Sequence, residues 1–487
     1  MNKLLKRKYL SRLGDGLRTS LQCVVAVALT GCMTVGPDYQ PVEPVAPEAW
    51  HTELHQGLAA GPINSATLAR WWEVLDDPLL SALEARAVQG SLEVKEAQAR
   101  VNEARAMRGI SQAALFPTLD AGAATSKSRS SESGGSGKAE KHYAAGFDAG
   151  WEVDFFGGVR RSVEAAQANL EATEEELHGV MVSLLAEVAL NYVELRTYQA
   201  LLATTEANID ALQESYEINV SRHQSGLISE LSVQESLRIL ESARATIPAL
   251  ESGLNAAKNR LAVLLGEVPG SLHPELAKAT PIPGLPVEVV VGIPAETLRH
   301  RPDVRTSERR LAVQTARIGV ATAELYPKFH LAGTLGLESI SAGELFQSTS
   351  RVWGVGPSAN WRVFDAGAIR QNIQAQNARQ EQALIHYEAT VLRALEEIEN
   401  ALVAYAKEQL RRESVAKAST AAERAEQLVR DQYQAGLVTF NNVLDAQRAR
   451  LLLQNELAQS DGAVTVNLVR LYKAFGGGWS PTEAPTN

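Results

Sequence analysis

The sequence contains itself twice. Shifted by 210 residues, Phe116-Pro117 falls on Tyr326-Pro327, Trp151 on Trp361, Gly157 on Gly367 and Arg160 on Arg370. At the same shift Gly226-Leu227 falls on Gly436-Leu437, Glu235 on Asp445 and Arg238 on Arg448. A single offset held over so long a stretch is not chance. The unit is several times longer than the roughly 20–50 residues of a solenoid repeat, so the expectation is one duplicated large unit and not an array.

Each copy reads as a helix, two strands and a very long helical hairpin. In the first copy Tyr143, Ala145, Phe147, Ala149, Trp151, Val153 and Phe155 alternate with Gly146, Asp148, Gly150, Glu152 and Asp154. Period two means a strand with one apolar and one wet face. Phe329, Leu331, Gly333, Leu335 and Leu337 against Lys328, His330, Thr334 and Glu338 repeat the pattern, and Trp353 to Phe364 follows, interrupted by Pro357. Strands are expected at about 118–126, 143–156, 328–338 and 352–364. About ten residues per strand with aromatic ends suits a membrane barrel better than a soluble sandwich. Between the first two strands, Ser126 to Lys141 has no apolar residue except Ala139 and reads as a solvated loop; if the strands cross a membrane, it and Ser339 to Ser350 face outward.

From Arg160 to Arg222 there is no Pro and one internal Gly, and Ala, Glu, Leu and Val dominate. At about 1.5 Å per residue this predicts a helix roughly 95 Å long. The chain turns at 224–229 and returns from Leu231 to Leu265; the second copy runs Ile369 to Tyr433, turns at 434–438 and returns from Phe440 to Phe475. Such rods must pack side by side as an extended coiled coil. Four strands cannot close a barrel, because an open sheet edge in lipid is prohibitive and about eight strands are the minimum. The chain must therefore oligomerise, and strand arithmetic leaves a dimer and a trimer equally open.

Of the 487 residues, 45% are apolar, which excludes a wholly disordered chain. No run of 18 apolar residues occurs, which excludes a polytopic helical membrane protein. The first 31 residues hold Lys3, Lys6, Arg7, Lys8, Arg12 and Arg18 against Asp15, followed by an apolar stretch from Leu21 to Leu29, the pattern of a secretory signal. It ends in Leu29-Thr30-Gly31-Cys32, which resembles a bacterial lipobox, so Cys32 is expected to become the lipidated first residue. Cys23 would leave with the signal, so no disulfide can form. The remaining chain sits near −15, which gives no reason to expect nucleic acid. The divisions expected are a signal peptide (1–31), an extended segment (32–77), a first repeat (78–270), a linking segment (271–296), a second repeat (297–475) and a tail (476–487).

Trp71-Trp72 with Asp77-Pro78, the run Trp151-Glu152-Val153-Asp154-Phe155-Phe156-Gly157, Arg301-Pro302-Asp303, Leu444-Asp445-Ala446-Gln447-Arg448 and Gly476-Gly477-Gly478-Trp479 resemble the TolC superfamily of outer membrane factors. The lipobox and Val35-Gly36-Pro37-Asp38-Tyr39 make the chain similar to its lipoprotein efflux branch, the OprM or NodT type. The resemblance implies an α+β elongated fold: a homotrimer with a twelve-stranded transmembrane β-barrel, four strands per chain, continued by a twelve-helix coiled-coil α-barrel. It implies a passive exit duct reaching from the outer membrane into the periplasm of a Gram-negative bacterium. The implied partners are a periplasmic adaptor and an inner-membrane pump of the resistance-nodulation-division type. A protein-secretion duct of type I and a pore-less periplasmic coiled-coil lipoprotein are the alternatives.

The same resemblance gives roles to particular residues. Gly226, Leu227, Gly436 and Leu437 would touch the adaptor at the hairpin tips. Asp445, Arg448 and Tyr433 would close a periplasmic gate, with Glu235 and Arg238 as their counterparts on the other hairpin; a surface ion pair is the simpler reading of all four charged residues and the preferred one for Glu235 and Arg238. Asn441, where some relatives carry an apolar ring, and Ser232, where some carry an acid, predict a wetter aperture. His51 and His55 lie four apart with no acid cluster beyond Glu53, and no phosphate loop, HExxH, CxxC or GxSxG pattern appears. No catalysis, metal or cofactor is expected beyond the lipid on Cys32.

Overall fold

The computed structural model describes residues 34–480 apart from 63, 135, 136, 285 and 287; the expected signal peptide and Cys32 lie outside the described residues. In chain order the elements are β1 (Leu58–Ala60), α1 (Ser65–Ala69), a 3-10 turn (Trp71–Leu75), α2 (Pro78–Gly90), α3 (Leu92–Ala113), β2 (Thr118–Arg129), β3 (Ala139–Val153) and α4 (Gly158–Gln224). Then come α5 (Glu230–Arg244), α6 (Ile247–Leu264), β4 (Val289–Val291), α7 (Pro294–His300), α8 (Pro302–Ala323), β5 (Lys328–Ser339), β6 (Arg351–Asn360), α9 (Ala368–Gln434) and α10 (Phe440–Ala474). The 210-residue period is visible in the elements: α3 and α8 have 22 residues each, β2 and β5 have 12, α4 and α9 have 67, and each pair starts 210 positions apart.

The chain folds into two compact units. The first takes the segment up to Pro41 together with Asn102–Ala172 and Glu308–Ile385. It carries a four-stranded antiparallel sheet in the order β2-β3-β5-β6. Its register opposes Ala121 to Phe147, Phe147 to Leu335 and Leu335 to Trp353, so these four share one face. Leu119, Ala149, Gly333 and Val355 form the next such row, and Trp151, Leu331 and Pro357 the one after. The intervening rows put Asp120, Asp148 and Thr334, or Glu152, His330 and Ser358, on the opposite face. One face is thus apolar yet open, with Trp353 78% and Leu335 63% exposed. Two equivalent bonds fix the base: Trp151 Nε1 donates to the Leu115 carbonyl (2.9 Å) and Trp361 Nε1 to the Leu325 carbonyl (3.0 Å).

Several boundaries differ from those expected. β2 continues to Arg129 and β3 begins at Ala139, because the ladder extends through Ser126–His142 and Lys127–Lys141 regardless of composition, so much of the expected loop is strand. β3 stops at Val153 because the Asp154 carboxylate turns to accept from the backbone N–H groups of Val159 and Arg160. β6 ends at Asn360, short of Phe364, and Asp365 accepts from the N–H groups of Gly367 and Ile369 instead. Pro357 lies inside β6, an edge strand of the single chain's sheet, opposite Leu331.

The second unit comprises Val42–Val101, Thr173–Ser307 and the chain from His386. The segment expected to be extended (32–77) contains β1, α1 and the 3-10 turn, and β1 pairs in parallel with β4 from the expected linker. The returning arm of the first hairpin is not one helix but two, α5 and α6, because Pro248 has no N–H to donate and its ring crowds the carbonyl four residues back. Trp71, Leu80, Leu83, Tyr192, Leu402 and Phe475 belong to one buried core. Asp77 caps α2 by accepting from the Leu79 and Leu80 N–H groups (2.9 and 3.0 Å), with Pro78 in the first turn. Its other oxygen accepts from the Tyr192 hydroxyl (2.7 Å), which accepts in turn from Arg196 Nη2 (2.8 Å). Burial pushes the Tyr192 phenol up to about 12.

Glu84 on α2 is the anomaly of this core. It is fully buried, and both its carboxylate oxygens lack a hydrogen-bond partner. Desolvation raises its pKa well above the ordinary 4.5. The folded chain therefore keeps a proton that the unfolded chain releases, so stability is highest below the unfolded pKa and declines as pH rises towards the folded one. Glu84→Gln is expected to match the wild type in denaturant titrations near pH 4 and to exceed it near pH 8. Equal stabilities at both values would contradict a neutral buried carboxyl.

Candidate functional site

The two hairpin tips are built alike. α4 ends at Gln224 and α9 at Gln434, and the reversal follows through Gly226 and Gly436, both at φ 72°. This left-handed conformation suits glycine. The Leu227 N–H donates to the Arg222 carbonyl (2.9 Å) and the Gly226 N–H to that of His223 (2.8 Å). Leu437 and Gly436 repeat this with Gln432 and Tyr433 at 2.9 and 3.0 Å. Each is a Schellman closure satisfying the last carbonyls of its helix. It leaves Leu227 72% and Leu437 75% exposed, an apolar knob that packing within the chain does not explain.

Immediately behind the tips the two hairpins meet. Leu212, Ile239, Leu240, Phe440, Val443 and Leu444 form a small apolar cluster, with Tyr433 packed against it. Arg222 of the first hairpin donates to the Tyr433 hydroxyl of the second, and its guanidinium lies over the same ring at 4.8 Å. Tyr433 also packs at a tilt on Phe440, with ring centroids 5.4 Å apart. Farther from the tips, Gln447 donates to the Ser215 hydroxyl (3.1 Å) and Arg450 to the Asn208 side-chain oxygen (2.6 Å).

The expected gate residues divide. Asp445 and Arg448 pair at 3.3 Å on one face of α10, exposed to solvent, where such a pair contributes about 0–1 kcal/mol. Glu235 and Arg238 have the same spacing, but no ion pair joins them among the described residues; Glu235 is half-buried and Arg238 exposed. The simpler reading of those two as an ion pair therefore fails. Asn441 is exposed, whereas Asn442 caps α10 locally, its side-chain oxygen accepting from the Thr439 N–H (3.2 Å) and hydroxyl (2.7 Å). Ser232 is half-buried in the first turn of α5.

One buried charge network of the region lies outside the expected gate residues. Glu426, 4% exposed, holds Arg430 at 2.7 Å and Arg450 at 3.0 Å. Glu426 and Arg430 stand four apart on one helix and were visible as a pair in the sequence. Arg450 arrives from the other helix of the hairpin, so no spacing rule announces it. Arg222 was equally hidden, lying 211 residues from Tyr433.

No cluster of His, Cys, Asp and Glu suited to a metal occurs among the described residues. His51 instead donates its backbone N–H to Glu399 (2.7 Å), so its segment is tied down by a carboxylate on α9.

Comparison with known proteins identifies the family. The family described as "Outer membrane efflux protein" matches residues 83–267 and again 293–477. The solvent efflux pump outer membrane protein SrpC of Pseudomonas putida is 31% identical over 474 residues, covering 95% of this chain and 99% of that protein. Nodulation protein T of Rhizobium leguminosarum bv. viciae is 30% identical over 472 residues, covering 95% of each. The solved structure of the outer-membrane channel OprN superposes with a TM-score of 0.86 at 33% identity, covering 92% of this chain and 100% of that one. The chain belongs to the outer membrane efflux protein family, as a TolC-like outer-membrane channel component of the OprM/NodT type.

Proposed function

We propose that the chain works as the passive exit duct of a tripartite pump. Three copies join their four-stranded sheets edge to edge into a twelve-stranded barrel, and their duplicated hairpins enclose a tunnel of twelve helices. The observation that carries this reading is the sheet itself. It has an apolar face open to its surroundings, a polar face of small and charged residues, and unpaired edges at β2 and β6. Lipid on one face, water on the other and no tolerated free edge is what a membrane barrel requires.

A lipid on Cys32 completes the anchoring, and no cofactor takes part. A periplasmic adaptor docks on the tips through Leu227 and Leu437, and a resistance-nodulation-division pump supplies small-molecule cargo and energy. Asp445 and Arg448, with Tyr433 and Arg222 behind them, form the periplasmic aperture. Three copies of Asp445 around a narrow axis would attract cations.

Two experiments test the proposal. Asp445→Ala combined with Arg448→Ala should raise single-channel conductance in planar bilayers; unchanged conductance removes this pair from the aperture. Leu227→Ser combined with Leu437→Ser should abolish co-purification with an adaptor while leaving trimer mass unchanged. Full retention of the adaptor would place docking elsewhere.

A further inference from the structure

The duplication creates equivalent positions in the two repeats, and one set is occupied by the start of the described chain. Residues 34–39 lie as a strap across the first unit. The Val35 N–H donates to the Phe156 carbonyl (3.1 Å), just past the end of β3. Tyr39 packs against Ala165, Ala168 and Ala312 and donates its hydroxyl to Glu308 (3.0 Å). Arg161 is the centre of the seat. Its side chain is 3% exposed, and its donors reach the carbonyls of Val35 (3.1 Å) and Gly36 (3.3 Å) and the carboxylates of Asp38 (2.6 Å) and Glu164 (2.7 Å). Three of the four partners of this guanidinium, two carbonyls and one carboxylate, belong to the strap.

Three residues make room for it. A Cβ on Gly157 would come within 2.7 Å of Thr34, one on Gly36 within 2.4 Å of the Gly319 Cα, and one on Gly319 within 2.7 Å of the Arg161 side chain. The counterparts of Gly157 and Gly319 one period away are Gly367 and Gly109, and a Cβ on either meets nothing within 4 Å. The counterpart of Arg161 is Gln371, which is exposed. The two repeats therefore offer similar backbones, and only one is equipped to hold the strap.

We infer that Arg161, with Gly157 and Gly319, forms a socket that seats residues 34–39 on the first repeat and so fixes where the lipid on Cys32 enters the membrane. This rests on the lipidation of Cys32 proposed above. Thr34, the first described residue of the strap, lies against Gly157 just past the end of β3. There Phe156 stacks on Tyr326 at 4.5 Å and Phe155 meets Phe329 edge-on at 5.0 Å, an aromatic margin of the kind found at membrane interfaces. Arg161 is thus a positioning residue. It turns a flexible tether into an anchor of fixed address.

The test uses the full-length protein made with a palmitate analogue carrying a photoreactive group near its carboxyl end. In the wild type, cross-links should concentrate on residues 153–158 and 324–329. Arg161→Gln, which installs the second repeat's residue, should scatter them and speed amide exchange in peptide 34–41 by at least about tenfold. Gly36→Val should do the same by a clash on the strap side, and it covers the case in which the Arg161 variant fails to fold. Unchanged exchange and an unchanged cross-link map in the folded variants would overturn the socket. Absence of any label on wild-type Cys32 would overturn the lipid placement together with the lipoprotein reading, whatever the exchange data show.

Discussion

Trp71→Ala is expected to lower stability by about 3–5 kcal/mol, the range for deleting a large aromatic from a close-packed core. Trp71 is 0% exposed, stacks on Tyr472 at 5.5 Å and meets Trp72 edge-on at 6.0 Å. A Cβ on Gly477 would come within 2.9 Å of its ring, so the glycine run after α10 lies directly against it. The ring therefore clamps the 3-10 turn before α2 to the end of the last helix, two segments some 400 residues apart. The midpoint of helix loss in denaturant should fall without a change of slope. A shift equivalent to less than about 0.5 kcal/mol, the range of ordinary surface substitutions, would mean the ring is not a keystone.

Arg301→Ala should cost about 1–3 kcal/mol, chiefly by leaving the buried Ala474 carbonyl without its donor, because Asp303 and Glu397 are open enough to solvent to hydrate. Arg301 is 8% exposed and holds Asp303 with two donors (3.0 and 2.8 Å), Glu397 with one (2.7 Å) and the Ala474 carbonyl with another (2.6 Å). That last bond satisfies a terminal carbonyl of α10, which no residue of the helix itself can do. The variant should expose the chain beyond Ala474 to carboxypeptidase as well as lowering the denaturation midpoint. Arg301→Lys should recover only part of the loss, because an ammonium cannot grip Asp303 with two parallel donors. Full rescue by lysine would show that charge alone matters.

How much of this was legible beforehand depends on the range of the interaction. The 210-residue period, the alternation in β3 and β5 and the Gly-Leu tips are local patterns, and each maps onto an element at its expected place. Pro248 is equally local, and it breaks an arm whose helical pattern runs on either side of it. Compositional reasoning failed at Ser126 to Arg129, where paired backbone amides outweigh polar side chains in deciding what is strand. The ties between Arg222 and Tyr433, Arg161 and Val35, and Arg301 and Ala474 link positions more than 120 residues apart, which no periodicity encodes. The gate residues mix both kinds: the Asp445 and Arg448 pair follows from helical spacing, and its identically spaced counterpart Glu235 and Arg238 does not pair.

The open-edged sheet is expected to close a pore by self-association. This is tested most directly by measuring, on one detergent-purified sample, the oligomeric mass and then the single-channel conductance in a planar bilayer. A trimer with a small, cation-selective conductance is the predicted result. A monomer that conducts nothing in any bilayer would contradict the account.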